Sequence, residues 1–164
     1  MRARALTVAV AVSVLAGDSA SAASGDRVSA MVLGGRGTGY SRQSGLWLGG
    51  GLAVRTPGPT RLQASIGTLR LPDPFHLGRN HYFGLSLVAY HVFNRWEVSL
   101  GIGIADLRRG DEDVPEGHLL LGVERSFSDR FALTATAKLQ RYGFFHDNRA
   151  GTEVLLGVRL RLLQ

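Results

Sequence analysis

Four histidines and a short acidic run stand where they could meet around a cation: His76, His81, His118 and His146, with Asp111, Glu112 and Asp113. Imidazole nitrogens and carboxylate oxygens are ordinary ligands for zinc and related ions. Their spacing follows no ligand pattern, and polar residues of these types gather in surface loops by default. No metal site and no cofactor is expected from them. The run "GGRGTG" at 34–39 has the glycines of a phosphate-holding loop, but no helical pattern follows to supply the helix N-terminus that would hold the anion. Cysteine is absent, which removes disulfides, thiolate metal sites and a cysteine nucleophile. The formal charge is +6, and Lys138 is the only lysine, so nearly all of the positive charge is guanidinium. The arginines are scattered without interleaved aromatics, and no nucleic-acid partner is expected.

The elements that must carry these residues follow from the hydropathy pattern. Residues 1–22 read as a secretory leader: Arg2 and Arg4 precede an apolar stretch from Ala5 to Ala16, and small residues precede Ala22 and Ala23. That stretch is too short for a spanning helix, which needs about 20 residues. The remaining 23–164 form one domain, and most of the chain's 22 glycines fall in it, many inside apolar segments, where helices suffer by about 1 kcal/mol each. A period of two runs through almost all of it. Eight strands are expected, near 27–35, 45–55, 61–70, 81–92, 95–107, 117–127, 130–143 and 152–163.

The connections alternate. "TPGPT", "FNR" and "SDR" are tight turns, whereas "GRGTGYSRQS", "LPDPFHLGRN", "RRGDEDVPE" and "FFHDNRAG" are longer and polar. Strict alternation of short and long connections is the pattern of an antiparallel up-and-down barrel whose two ends meet different surroundings.

Two kinds of face emerge. Trp96, Val98, Leu100, Ile102 and Ile104 share one register, and Phe131, Leu133, Ala135, Ala137 and Leu139 share another of the same character. The opposite registers carry Gly, Ala, Ser and Thr with sparse charges. A solvated surface would carry long charged side chains of both signs, while a narrow barrel interior demands small ones. The apolar registers are therefore assigned to lipid and the small, polar ones to the lumen. A soluble barrel around an apolar ligand cavity is the alternative. Inside, Glu97, Glu124 and Glu153 would need Lys138, Arg159, Arg161 or Arg61 as partners, because an unpaired buried charge is costly. Aromatics are expected in two interfacial girdles, Phe93, Trp96, Phe127 and Phe131 by the short turns and Tyr82, Tyr142, Phe144 and Phe145 by the long loops.

With leader, strand count and alternating gaps together, the chain resembles the small eight-stranded outer-membrane β-barrels of Gram-negative bacteria, the OmpA/OmpX type. The resemblance implies a cell outer-membrane location, handling by the outer-membrane assembly machinery, contact with outer-membrane lipid and lipopolysaccharide, a monomer, and a structural or surface-interaction role with a lumen filled by side chains. Loop arginines (Arg36, Arg42, Arg79, Arg108, Arg109 and Arg149) could then bind lipopolysaccharide phosphates through forked hydrogen bonds. "FFHDNRAG" also bears a distant likeness to the outer-membrane lipid A deacylase barrels, in which a His-x-Ser-Asn motif is followed by a Glu. That likeness implies His146 as base and Glu153 as its orienting acid. Asn148 occupies the nucleophile position, and an amide cannot attack an ester as a hydroxyl does. The non-enzymatic reading is therefore preferred, with a lipid A-modifying hydrolase as the alternative.

Overall fold

In the computed structural model the described residues are 28–38, 44–70, 79–109, 112–142 and 149–163. The expected leader and His76, Asp111, Phe144, Phe145, His146 and Asn148 lie outside them. Eight strands follow one another: β1 Val28–Thr38, β2 Ser44–Arg55, β3 Thr60–Arg70, β4 Arg79–Phe93, β5 Trp96–Arg109, β6 Glu112–Ser126, β7 Phe131–Tyr142 and β8 Arg149–Leu163. Each pairs antiparallel with its neighbours, and β8 pairs back onto β1 to close the barrel. Closure leaves no open sheet edge.

The registers are staggered as a tilted barrel requires. Paired residues followed once around from Val28 lead through Val54, Leu62, Leu87, Ile102, Leu119 and Leu139 to Thr152. Thr152 donates its amide to Thr38 Oγ1 at 2.7 Å, so the path returns to β1 ten residues along, from 28 to 38. Such a shear inclines the strands by roughly 35–45° to the barrel axis.

Local chemistry makes the tight turns. Gly58 takes a φ of 97° between two prolines, where Thr56 N donates to Thr60 O at 3.0 Å. Asn94 has a φ of 56° in the two-residue turn between β4 and β5; asparagine tolerates the left-handed region better than any residue but glycine. In the third turn Ser128 Oγ accepts the amides of Phe131 at 3.1 Å and Arg130 at 3.3 Å.

The strands at the long-loop end run further than periodicity suggested. β6 begins at Glu112, not near 117, and carries Pro115 opposite Asp106 of β5. Proline lacks a ladder donor and reads as a strand breaker, which is why "DEDVPE" reads as loop; the long connection expected there is only positions 110–111, so the strict alternation of short and long gaps fails between β5 and β6. The extension brings Glu116 and His118 off the rim and into the barrel interior.

The apolar registers face outward. Ile102, Ile104, Leu119, Leu121, Leu133, Val154 and Leu156 are all exposed on one continuous outer band, with Ile104 and Leu156 at 64%. Phe93, Trp96, Phe127 and Phe131 are exposed at its short-turn edge. Tyr82 departs from the expected girdle. It shares the even register of β4 with Ser86 and Val88, and it is buried in the lumen at 4% exposure. Its neighbour Phe83 points outward instead.

Candidate functional site

The lumen is the place where this chain concentrates its chemistry, and it is built in three zones. At the short-turn end, Glu97 of β5 lies directly opposite Glu124 of β6. Like charges in that position repel, and four arginines surround them. Arg61 Nη1 donates to Glu97 Oε1, and Arg55 Nη2 stands 3.6 Å from Glu97 Oε2. Arg159 Nε approaches Glu124 Oε2 to 2.7 Å, and Arg161 Nη2 stands 3.5 Å from Glu124 Oε1. Tyr90 lies between Arg55 and Arg61, with its ring centroid 4.9 and 5.4 Å from their guanidinium carbons. Arg159 also reaches Ser29 Oγ at 3.4 Å, and Arg161 reaches Ser126 Oγ at 2.7 Å.

A second cluster sits nearer the long-loop end. Eight residues of β6 separate Glu124 from Glu116, roughly 26 Å along the strand at 3.3 Å per residue. Here Lys138 of β7 faces Glu153 of β8 as a cross-strand pair, with Nζ 3.2 Å from Oε2. The same ammonium donates to Tyr82 OH at 2.6 Å, lies 4.1 Å from the Tyr82 ring centroid, and stands 3.7 Å from Glu116 Oε1. His118 Nδ1 is 3.2 Å from Glu116 Oε1, close but out of line for a hydrogen bond. On its other side, His118 Nε2 and Ser86 Oγ are 2.8 Å apart, donor and acceptor depending on the tautomer.

Between and around the clusters is an apolar plug of Met31, Leu33, Trp47, Leu69, Leu107 and Leu155. Trp47 meets Tyr82 edge to face with centroids 6.3 Å apart. The small residues of the lumen registers make room for this bulk. A Cβ on Gly67 would lie 2.6 Å from Trp47 Cζ2, and one on Gly103 would strike the Leu85 carbonyl as well as the Ser86 and His118 side chains. Gly103→Ala is therefore expected to destabilise the barrel by about 1–3 kcal/mol. Urea unfolding in lipid vesicles reads this; an unchanged midpoint would mean that the Ser86–His118 contact has slack.

Ser86, His118 and Glu116 stand in the order of nucleophile, base and acid. Acyl transfer needs two further things, unengaged donors for an oxyanion and space for a carbonyl beside the hydroxyl. Ser86 is flanked by the β3 and β5 ladders through its pairs Gln63 and Gly103, and it is buried. Within the trio only Ser86 and His118 share a hydrogen bond, while Glu116 lies close to His118 without one, and together the three side chains partition the lumen. Neither Glu116 nor Ser86 stood out in the sequence, although Glu116 and His118 share the even β6 register with Glu124, and that parity was the available signal.

Glu153 points into the lumen toward Lys138 and is 2% exposed. His81 is exposed on the outer side of β4, apart from His118 inside. Among the described residues no group of three or more His, Asp or Glu could hold a metal ion. Arg36 and Arg108 are exposed, and Arg108 stands 3.8 Å from Asp113.

Comparison with known proteins bears on the fold. Neisserial surface protein A, a solved structure, superposes with a TM-score of 0.60 at 15% identity, covering 85% of this chain and all of that one. The N-terminal β-barrel domain of Pseudomonas aeruginosa OprF gives a TM-score of 0.62 at 17% identity, covering 84% of this chain and 98% of that domain. The chain has the fold of the small eight-stranded outer-membrane barrels. A de novo designed transmembrane β-barrel is also similar, with a TM-score of 0.54 at 13% identity over 82% of this chain and 95% of that one. No family model and no curated relative matches the sequence. An outer-membrane barrel fold reached with so few shared residues reflects pattern: small inside, apolar outside, alternating connections.

Proposed function

We propose that this chain is an integral outer-membrane β-barrel protein with a structural or surface-interaction role, delivered by a leader over residues 1–22. The connections β2–β3, β4–β5 and β6–β7 face the periplasm, and the opposite end, with its three long connections and the brief β5–β6 connection, faces outward. The observation that carries this reading is the inverted surface: the exposed band is apolar, while Glu97, Glu116, Glu124, Lys138, Glu153 and Arg159 are all buried. A soluble barrel would invert that distribution, whereas a strand barrel in lipid requires it. The lumen zones oppose free passage of water, so an open porin-like pore is not proposed.

Expression in a Gram-negative host followed by membrane fractionation tests the reading. The protein should sediment with the outer membrane and should migrate differently on a gel before and after boiling in detergent. Recovery from the soluble periplasmic fraction would overturn it. The lipid A mass spectrum should be the same with and without expression, since His146 has no hydroxyl nucleophile in its motif.

A further inference from the structure

On the outer wall at the short-turn end there is a groove of about 610 Å³, lined by Trp96, Val123, Arg125, Leu133, Ala135 and Leu156 among others. Its floor is β7 at Ala135, and the outward register of that strand stays narrow one step beyond the groove at Ala137. Its walls are the taller side chains of the flanking strands, since Ala135 pairs with Val123 and Leu156, and Ala137 with Leu121 and Val154. Two strand spacings separate those walls, about 10 Å between backbones, which leaves a furrow suited to a single hydrocarbon chain.

The furrow ends at a cation. Arg125 pairs with Trp96 on one side and Leu133 on the other, so its guanidinium emerges on the apolar wall. Trp96 and Phe127 hold it there, with ring centroids 5.2 and 5.4 Å from Cζ. No described carboxylate pairs with it. The other described outward-facing strand arginines, Arg36, Arg70, Arg108 and Arg141, lie toward the long-loop ends. An unpaired guanidinium on a lipid-facing wall calls for an anion at the headgroup level, and its planar fork matches two phosphate oxygens.

We propose that this groove is a binding site for one glycerophospholipid of the inner leaflet, with the phosphodiester on Arg125 and an acyl chain along Ala135 and Ala137. The proposal rests on the membrane placement argued above. Its chemistry is more specific than general lipid contact, because charge and furrow meet at one point of the wall.

Native mass spectrometry of the protein extracted from membranes in mild detergent tests it, with phosphatidylethanolamine and phosphatidylglycerol identified after lipid extraction. Wild type should retain one phospholipid per chain. Arg125→Gln, which removes the cation, and Ala135→Phe, which fills the furrow, should each lower the retained fraction roughly tenfold or more. Leu52→Phe, an outward change on β2, should retain it. Retention equal to wild type in both groove variants, no retained phospholipid in wild type, or retained lipid A in its place would each overturn the proposal. The gel shift on boiling separates this from failure of the membrane reading: folded, membrane-extracted barrels that bind no phospholipid refute the groove alone.

Discussion

Lys138→Met should destabilise the folded barrel by about 3–5 kcal/mol, the range expected when one partner of a buried ion pair is removed. Methionine keeps an unbranched apolar stem of similar shape and removes the terminal ammonium. Glu153, paired directly across the ladder, and Glu116 would then share the upper lumen without their cation. Tyr82 would also lose the donor to its hydroxyl. An effect of this size requires the cluster to be dry. Lys138, Glu116 and Glu153 are all buried, and Trp47 packs edge to face on Tyr82 beside them. A second substitution separates charge from packing: Glu153→Gln in the Lys138→Met background should recover a large part of the loss, because the remaining carboxylate no longer faces a second one. Urea unfolding in lipid vesicles, run as a double-mutant cycle, measures the coupling. A Lys138→Met variant within about 0.5 kcal/mol of wild type would mean that water reaches these groups and that the lumen is open at this level.

The second large effect is on the outer wall. Ile102→Arg places a guanidinium in the middle of the exposed band of β5, four strand positions from the charged Asp106 and six from the interfacial Trp96. At the centre of a bilayer such a change on the lipid face costs about 2–4 kcal/mol, falling to 0–1 near the interface. On a water-exposed surface the same substitution would fall within about ±0.5 kcal/mol. The two environments therefore predict different results from one variant. Placing arginine at position 93 in place of Phe93, at the short-turn edge, should cost much less than at 102. Equal effects at 93 and 102 would remove the depth dependence on which the lipid assignment stands.

Which parts of this structure were legible in the sequence follows from what sets each of them. The eight strands, the tight turns and three of the four long connections are readable because apolar registers of period two persist through every span and the turn residues are unambiguous at Pro57–Gly58–Pro59 and Asn94; the expected long gap "RRGDEDVPE" is instead mostly strand, with only positions 110–111 between β5 and β6. The partners of Glu97, Glu124 and Glu153 could be named as a set, since only a few cations share their registers; which cation meets which carboxylate depends on the stagger between strands, and a sequence does not print that. The upper cluster was hidden for a different reason. Pro115 masks the start of β6, so Glu116 and His118 read as rim residues, and Tyr82 reads as a girdle aromatic because it lies beside a long loop. In each case strand parity outweighed the local signal: Tyr82 follows Ser86 and Val88 inward, and Glu116 and His118 follow Glu124. The groove at Arg125 was equally out of reach, since it arises from three adjacent strands whose outward residues are tall, short and tall.

The central claim is that the apolar register of these strands faces lipid. The natural chain has no cysteine, so a single introduced thiol carries the only label. A fluorophore on Leu100→Cys or on Leu121→Cys, in vesicles, should be strongly quenched by lipids bearing a nitroxide at the bilayer centre and shielded from aqueous iodide. Ready quenching by iodide with no response to the lipid nitroxide would place that face in water and contradict the account.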